Sequence, residues 1–318
     1  MTYKNSLKLL ASNFGVVWKH LVYLVISGAI CLGLIFAFSN PLINLLRESG
    51  WVSAASSLIE TIYTEPTIIF DVIKKIILSF FEVISLNFSS IWYSVIGLFL
   101  TGYLIPGFLF GVGFYNVSSV MQKQMTSMLT VGYTQNMLST FRTGSKYALM
   151  KVLIILPFDV IKILLLVAFF RLATSFIYSI LFLSLLCALL ILIHSLQITV
   201  VSCFAPFMID TSANPFKSFF KSTVPMFKQF KKTFSNAIMI VLTCLFVNML
   251  LSLFTVFSGL IITLPATAVL VAIFGNVVYL SCNAKRYYLN KSVIVNTALT
   301  DNKEDKKFDD MHKPEVQG

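Results

Sequence analysis

Asp159 and Lys162 stand three residues apart in an otherwise apolar stretch, just after Pro157. Residues three apart share a helix face, so the carboxylate and the ammonium can pair. Pro157 withholds one backbone donor and leaves a carbonyl exposed at the same level. If the helix starts near residues 146–150, Asp159 lies roughly 13–20 Å along it at 1.5 Å per residue. That depth is close to the middle of a bilayer. A charge there costs at least about 2.5–3.5 kcal/mol. Intramembrane ionisable groups commonly mark an ion or proton site, or a gate. The alternative is a self-neutralised structural pair, or a helix that starts later and leaves both groups at the interface.

Other polar side chains are isolated on apolar runs. His194, Asn248 and Asn276 occupy three different hydrophobic segments. Their common use is an interhelical hydrogen bond, with substrate contact as the rival. With Asp159 and Lys162 they make up a candidate intramembrane polar site. Five cysteines, Cys31, Cys187, Cys203, Cys244 and Cys282, are scattered with no CxxC. They read as small buried hydrophobes rather than a redox or metal centre. There is no P-loop, GxSxG or HExxH, and Gly111 and Gly113 do not continue into a dinucleotide fingerprint. The pattern points to no enzyme, no metal and no cofactor.

Composition explains why these polar residues stand out. Of 318 residues 57% are hydrophobic and 12% charged, and mean hydropathy is +0.86. Soluble domains carry about 25% charged residues. A soluble enzyme, a disordered chain and a free nucleic-acid binder are excluded, and a multi-pass membrane protein is implied. The net charge of +11 would suggest nucleic acid in a soluble protein. Here the lysines flank hydrophobic runs, so their partner is anionic lipid.

Six segments reach the roughly 20 residues needed to span: 17–38, 91–115, 148–170, 175–205, 237–257 and 260–281. A turn near residues 171–175 divides one long apolar stretch, and Ser258 with Gly259 forms another turn. Lys4, Lys8 and Lys19 precede the first span with no acid. Residues 39–89 carry five acids against three bases, whereas 117–150, 210–235 and 285–300 are net basic. The positive-inside rule then places both termini in the cytoplasm. The first segment also has signal-peptide features, but its apolar run exceeds the roughly 7–15 residues of such a core. The basic segments before each hairpin suggest either an internal repeat or the topology rule itself. Residues 301–318 have the composition of a disordered cytoplasmic tail.

Three segments are amphipathic. In residues 214–234, Phe216, Phe219, Phe220, Phe227, Phe230 and Phe234 fall within about 80° on a helical wheel. Lys217, Lys221, Lys228 and Lys232 flank them, with Lys231 nearby. Pro215 suits a first helical position, and Pro225 is expected to interrupt the helix. Such a helix lies in the headgroup plane, as a lipid-binding element or a passive connector. Residues 66–88, within an external insertion at 39–90, form a second. Residues 117–129 form a third, read as interfacial on the cytoplasmic side. Gly107 and Gly111 make a GxxxG pattern after Pro106, suited to close packing inside the bundle.

Residues 203–289 open with Cys203, Phe204, Ala205, Pro206, Phe207, Met208, Ile209 and Asp210. A basic amphipathic stretch, a hairpin with Leu264 and Pro265, and then Lys285, Arg286, Tyr287 and Tyr288 follow. This quarter of the chain resembles uncharacterised bacterial six-span families, similar to the membrane domain of some glycerophosphodiester phosphodiesterases. The resemblance implies a bacterial inner-membrane protein without catalytic activity. The reading as a whole is an all-α integral membrane protein. It is a six-helix transmembrane bundle with amphipathic interfacial helices and an external helical insertion. Its expected role is non-enzymatic, through lipid or protein contacts, with a small transporter or channel through Asp159 and Lys162 as the alternative.

Overall fold

The computed structural model describes residues 2–65, 68–172, 176–211, 214–289 and 293–297. The chain is almost entirely helical: α1 (Thr2–Ser12), α2 (Gly15–Glu48), α3 (Trp51–Thr64), α4 (Ile69–Leu86) and α5 (Phe88–Phe99) come first. A π-helical turn (Leu100–Leu104) leads into α6 (Ile105–Ser127), α7 (Tyr133–Leu172), α8 (Phe176–Val201) and α9 (Phe204–Thr211). The chain continues with α10 (Pro215–Lys228), α11 (Phe230–Phe254) and α12 (Leu260–Cys282). A two-residue antiparallel ribbon, β1 (Tyr287–Tyr288) and β2 (Ile294–Val295), closes the described chain. Six helical segments are long and apolar enough to span: 15–48, 88–127, 133–169, 180–211, 230–254 and 260–282. The protein is therefore a multi-pass membrane protein with an all-α bundle.

The helices overrun the expected spans. The first continues to Glu48 with Pro41 inside it, and Gly50 then supplies the left-handed φ of 72° that turns the chain into α3. The third begins at Tyr133, well before residues 146–150. Asp159 is therefore 26 residues, about 39 Å, from the start of its helix. The expected turn at 171–175 lies largely outside the described residues. The turn before α12 is not built on Gly259, which is helical at φ −62°. Val256 and Phe257 take φ of 47° and 67° instead. The helix at 215–228 runs through Pro225 and breaks at Gln229.

Contacts group the described chain into two units. One contains the described residues within 2–21, 113–147 and 198–297. Its centre is α12, where Val269, Leu270 and every residue from Ala272 to Leu280 is buried, as suits a helix apolar on all sides. α1 packs on α12 and α11. The Tyr3 hydroxyl pairs with Thr243 Oγ1 at 2.7 Å, and Asn5 donates to the Tyr287 hydroxyl at 2.8 Å. Tyr147 is fully buried against Tyr115 and Phe204, with ring centroids 5.3 and 4.8 Å away. The segment 117–129 is not an interfacial helix. Val117, Val120, Met121 and Met125 are buried in this core as the end of α6, and exposure begins only at Thr126.

The other unit contains residues 22–112 and 148–197. α3 and α4 pack as a helical pair, with Trp51 Nε1 donating to Ser79 Oγ at 3.0 Å. Phe70 of α4 meets Phe169 of α7 edge-on at 6.1 Å. The insertion is thus packed against the end of a span. The GxxxG glycines serve packing within this unit. A Cβ at Gly111 would lie 2.8 Å from Ala148 Cβ, and one at Gly107 2.9 Å from Val152 Cγ2.

Candidate functional site

The Asp159 carboxylate is held from two sides. Lys162 Nζ donates to its Oδ1 at 2.9 Å, and the Tyr103 hydroxyl donates to its Oδ2 at 2.9 Å. Lys162 also donates to Gln197 Oε1. The pair is mostly enclosed, with side chains 20% and 27% exposed. His194 lies one turn before Gln197 on α8, close enough to feel both charges. Three consecutive spans therefore meet at one charged pair.

Local structure explains the reach of Tyr103. The π-helical turn at Leu100–Leu104 inserts an extra residue into the α5–α6 run and re-aims the side chains on it. Pro106, two residues on, has no N–H and relaxes the ladder at the same place. The lipid-facing residues Leu149 and Leu153 of α7 are 59% and 65% exposed. Asp159 follows Leu149 by ten residues, about 15 Å along the helix, inside the apolar segment 133–169. A cavity of about 160 Å³ abuts the carboxylate, lined by Tyr103, Gly107, Phe110, Lys151, Ile155 and Asp159 among others.

Asn248 and Asn276 belong to the other unit and take no part in this cluster. Asn276 is fully buried. It donates to the Ser118 carbonyl at 3.0 Å and so ties α12 to α6. Asn248 makes a long 3.4 Å contact to Thr267 Oγ1 of α12. A second buried network joins α6 to α7: Asn136 donates to Asn116 Oδ1 at 2.7 Å and accepts from Lys123 Nζ at 2.7 Å. Asp210 accepts from the Tyr279 hydroxyl at 2.6 Å and from Lys285 at 2.5 Å. Sequence reasoning missed Tyr103, Gln197, Lys151 and this carboxylate. A phenol among Leu, Ile and Phe residues reads as an ordinary aromatic, and only the neighbouring Pro106 hinted at irregular backbone.

The amphipathic helix α10 is capped by Asn214, whose side chain accepts from the Phe216 N–H at 3.1 Å, with Pro215 in the first turn. Its buried stripe is Ser218, Ser222 and Met226, spaced four apart as a packing face requires. The opposite side holds two parallel rows. Phe216, Phe220, Val224 and Phe227 are 61%, 54%, 59% and 61% exposed. Lys217, Lys221 and Lys228 are exposed beside them, and Lys231 and Lys232 are exposed at the start of α11. Phe219 is the exception among the aromatic residues and turns edge-on to Phe204 at 5.6 Å. Phe230 and Phe234 are half-buried and stack at 5.6 Å.

Among the described residues no group of three His, Cys, Asp or Glu side chains could hold a metal. No protein-family model, curated protein or solved structure matches the chain.

Proposed function

We propose that this membrane protein is non-enzymatic and acts through contact with anionic lipid, as an envelope or accessory component. One observation carries the reading: α10 packs on the protein through Ser218, Ser222 and Met226 while its phenylalanine row and lysine row both remain exposed. Phenyl rings buried at the level of the acyl chains and ammonium groups among phosphates satisfy both rows at once. Each lysine near an anionic surface contributes on the order of 1 kcal/mol. The positive-inside rule puts this helix and both chain ends on the cytoplasmic face, and the resemblance to bacterial six-span families supports an inner membrane.

The test uses the full chain in nanodiscs of mixed phosphatidylcholine and phosphatidylglycerol. Lipid selectivity is read from the immobilised fraction of spin-labelled phosphatidylglycerol. Replacing Lys217, Lys221, Lys228 and Lys231 with Gln is expected to abolish most of the preference for the anionic lipid. High salt is expected to weaken the preference of the unmodified protein, because exposed charges are screened within about 10 Å at 0.1 M. An unchanged preference in the fourfold variant contradicts the reading.

A further inference from the structure

The cavity beside Asp159 has a different chemistry from the lysine helix, and its lining is wholly within one unit. Its lining includes the Asp159 carboxylate, the Lys151 ammonium and the Tyr103 phenol among apolar residues and glycines. Lys151 lies eight residues before Asp159 on α7, about 12 Å nearer the end from which the span starts. It is two residues beyond the exposed Leu149. About 160 Å³ gives room for several waters. Cavities that stay dry are lined by apolar groups, whereas water needs two to four polar partners. Tyr103, Lys151 and Asp159 supply them within an otherwise apolar lining.

We propose that this cavity is a water-filled half-path running from the membrane face where α7 starts to Asp159, and that its ligand is the proton. A hydronium ion from that face gives its proton to an Asp159 carboxylate oxygen, leaving a neutral carboxylic acid and a water. The ammonium of Lys162 then loses its counter-charge and keeps Gln197. The groups that face Asp159 are Tyr103 from the second span, Lys151 and Lys162 on its own helix, and His194 and Gln197 from α8. His194 is a titrating neighbour and has to be separated from Asp159 in the test. This half-path is independent of lipid contact by α10.

The experiment uses the full chain in sealed vesicles, with the five native cysteines replaced and a small, charged, membrane-impermeant methanethiosulfonate as the probe. Ile155→Cys reports the cavity, and Leu153→Cys reports the lipid-facing side of the same turn. Lys221→Cys and Ser57→Cys report the two membrane faces. Ile155→Cys is expected to gain label from the face that labels Lys221→Cys, while Leu153→Cys gains none. Silence at Ile155→Cys, or label only from the Ser57→Cys face, overturns the proposal. The labelling rate of Ile155→Cys relative to Lys221→Cys is then followed against pH. The ratio is expected to shift with pH when Asp159 is present, to become flat in Asp159→Asn, and to keep its shift in His194→Gln. A shift that survives Asp159→Asn, or vanishes in His194→Gln, overturns the assignment of the proton to Asp159.

Discussion

At the scale of single residues, the Asp159–Lys162 pair is costly to make and costlier to break. Removing one partner of a buried ion pair typically costs about 3–5 kcal/mol, because the other charge is left uncompensated, whereas replacing both with apolar groups is often near neutral. The pair here is partly exposed, so Lys162→Leu is expected to destabilise the protein by less than that, about 1–3 kcal/mol. The double variant Asp159→Leu with Lys162→Leu is expected to recover most of that loss. Reversible unfolding in mixed micelles would measure both. Tyr103→Phe removes one hydrogen bond to Asp159 and should cost about 1 kcal/mol, in line with polar contacts between membrane helices. The pair was legible in the sequence because a three-residue spacing fixes a shared face. Its partners Tyr103 and Gln197 were not, since nothing local says which spans are neighbours. Asn276 was legible as a polar spot, and its bond to Ser118 needed the fold.

At the scale of elements, the number and order of spans follow from hydropathy, and their ends do not. Hydropathy marks where a helix meets lipid. It is silent where the same helix runs on into a protein core, as α6 does through Val117 and Met121 and α7 does from Tyr133. The amphipathic pattern of 117–129 was real, but its apolar face meets other helices rather than a membrane surface. Close helix approach gives an ordered prediction. A Cβ at Gly275 would meet the Ser202 carbonyl oxygen at 2.5 Å, one at Gly111 the Ala148 Cβ and Cα at 2.8 and 3.0 Å, and one at Gly107 only a Val152 methyl. Backbone yields less readily than a rotatable side chain, and overpacking typically costs about 1–3 kcal/mol. Thermal stability is expected to fall in the order Gly107→Ala, Gly111→Ala, Gly275→Ala, with the last the most damaging. Equal losses, or a change in oligomeric state alone, would contradict internal packing. The turn before α12 makes the opposite prediction. Val256 is 82% exposed and holds φ at 47°, a left-handed conformation costing a non-glycine residue roughly 1–2 kcal/mol. Val256→Gly should raise stability by up to that amount.

At the scale of the whole molecule, charge and hydrophobicity divide the labour. Apolar spans set the class of protein, and the lysines that flank them carry its proposed orientation and its proposed lipid partner. That partner was suggested by the alternation of Phe and Lys between residues 216 and 232. The sequence did not say that Phe219 would turn inward while Phe216, Phe220 and Phe227 stay out, because the choice depends on where Phe204 lies. The central claim is that α10 rests in the headgroup plane with its aromatic row towards the acyl chains. Nitroxide labels at Phe220→Cys and Lys221→Cys, in nanodiscs containing phosphatidylglycerol, test it most directly. Relaxation by oxygen, which concentrates in the acyl region, is compared with relaxation by a water-soluble nickel chelate. The account predicts that the label at 220 responds mainly to oxygen and the label at 221 mainly to the chelate. Equal and strong response of both labels to the chelate would mean that the helix stands in water, and would contradict it.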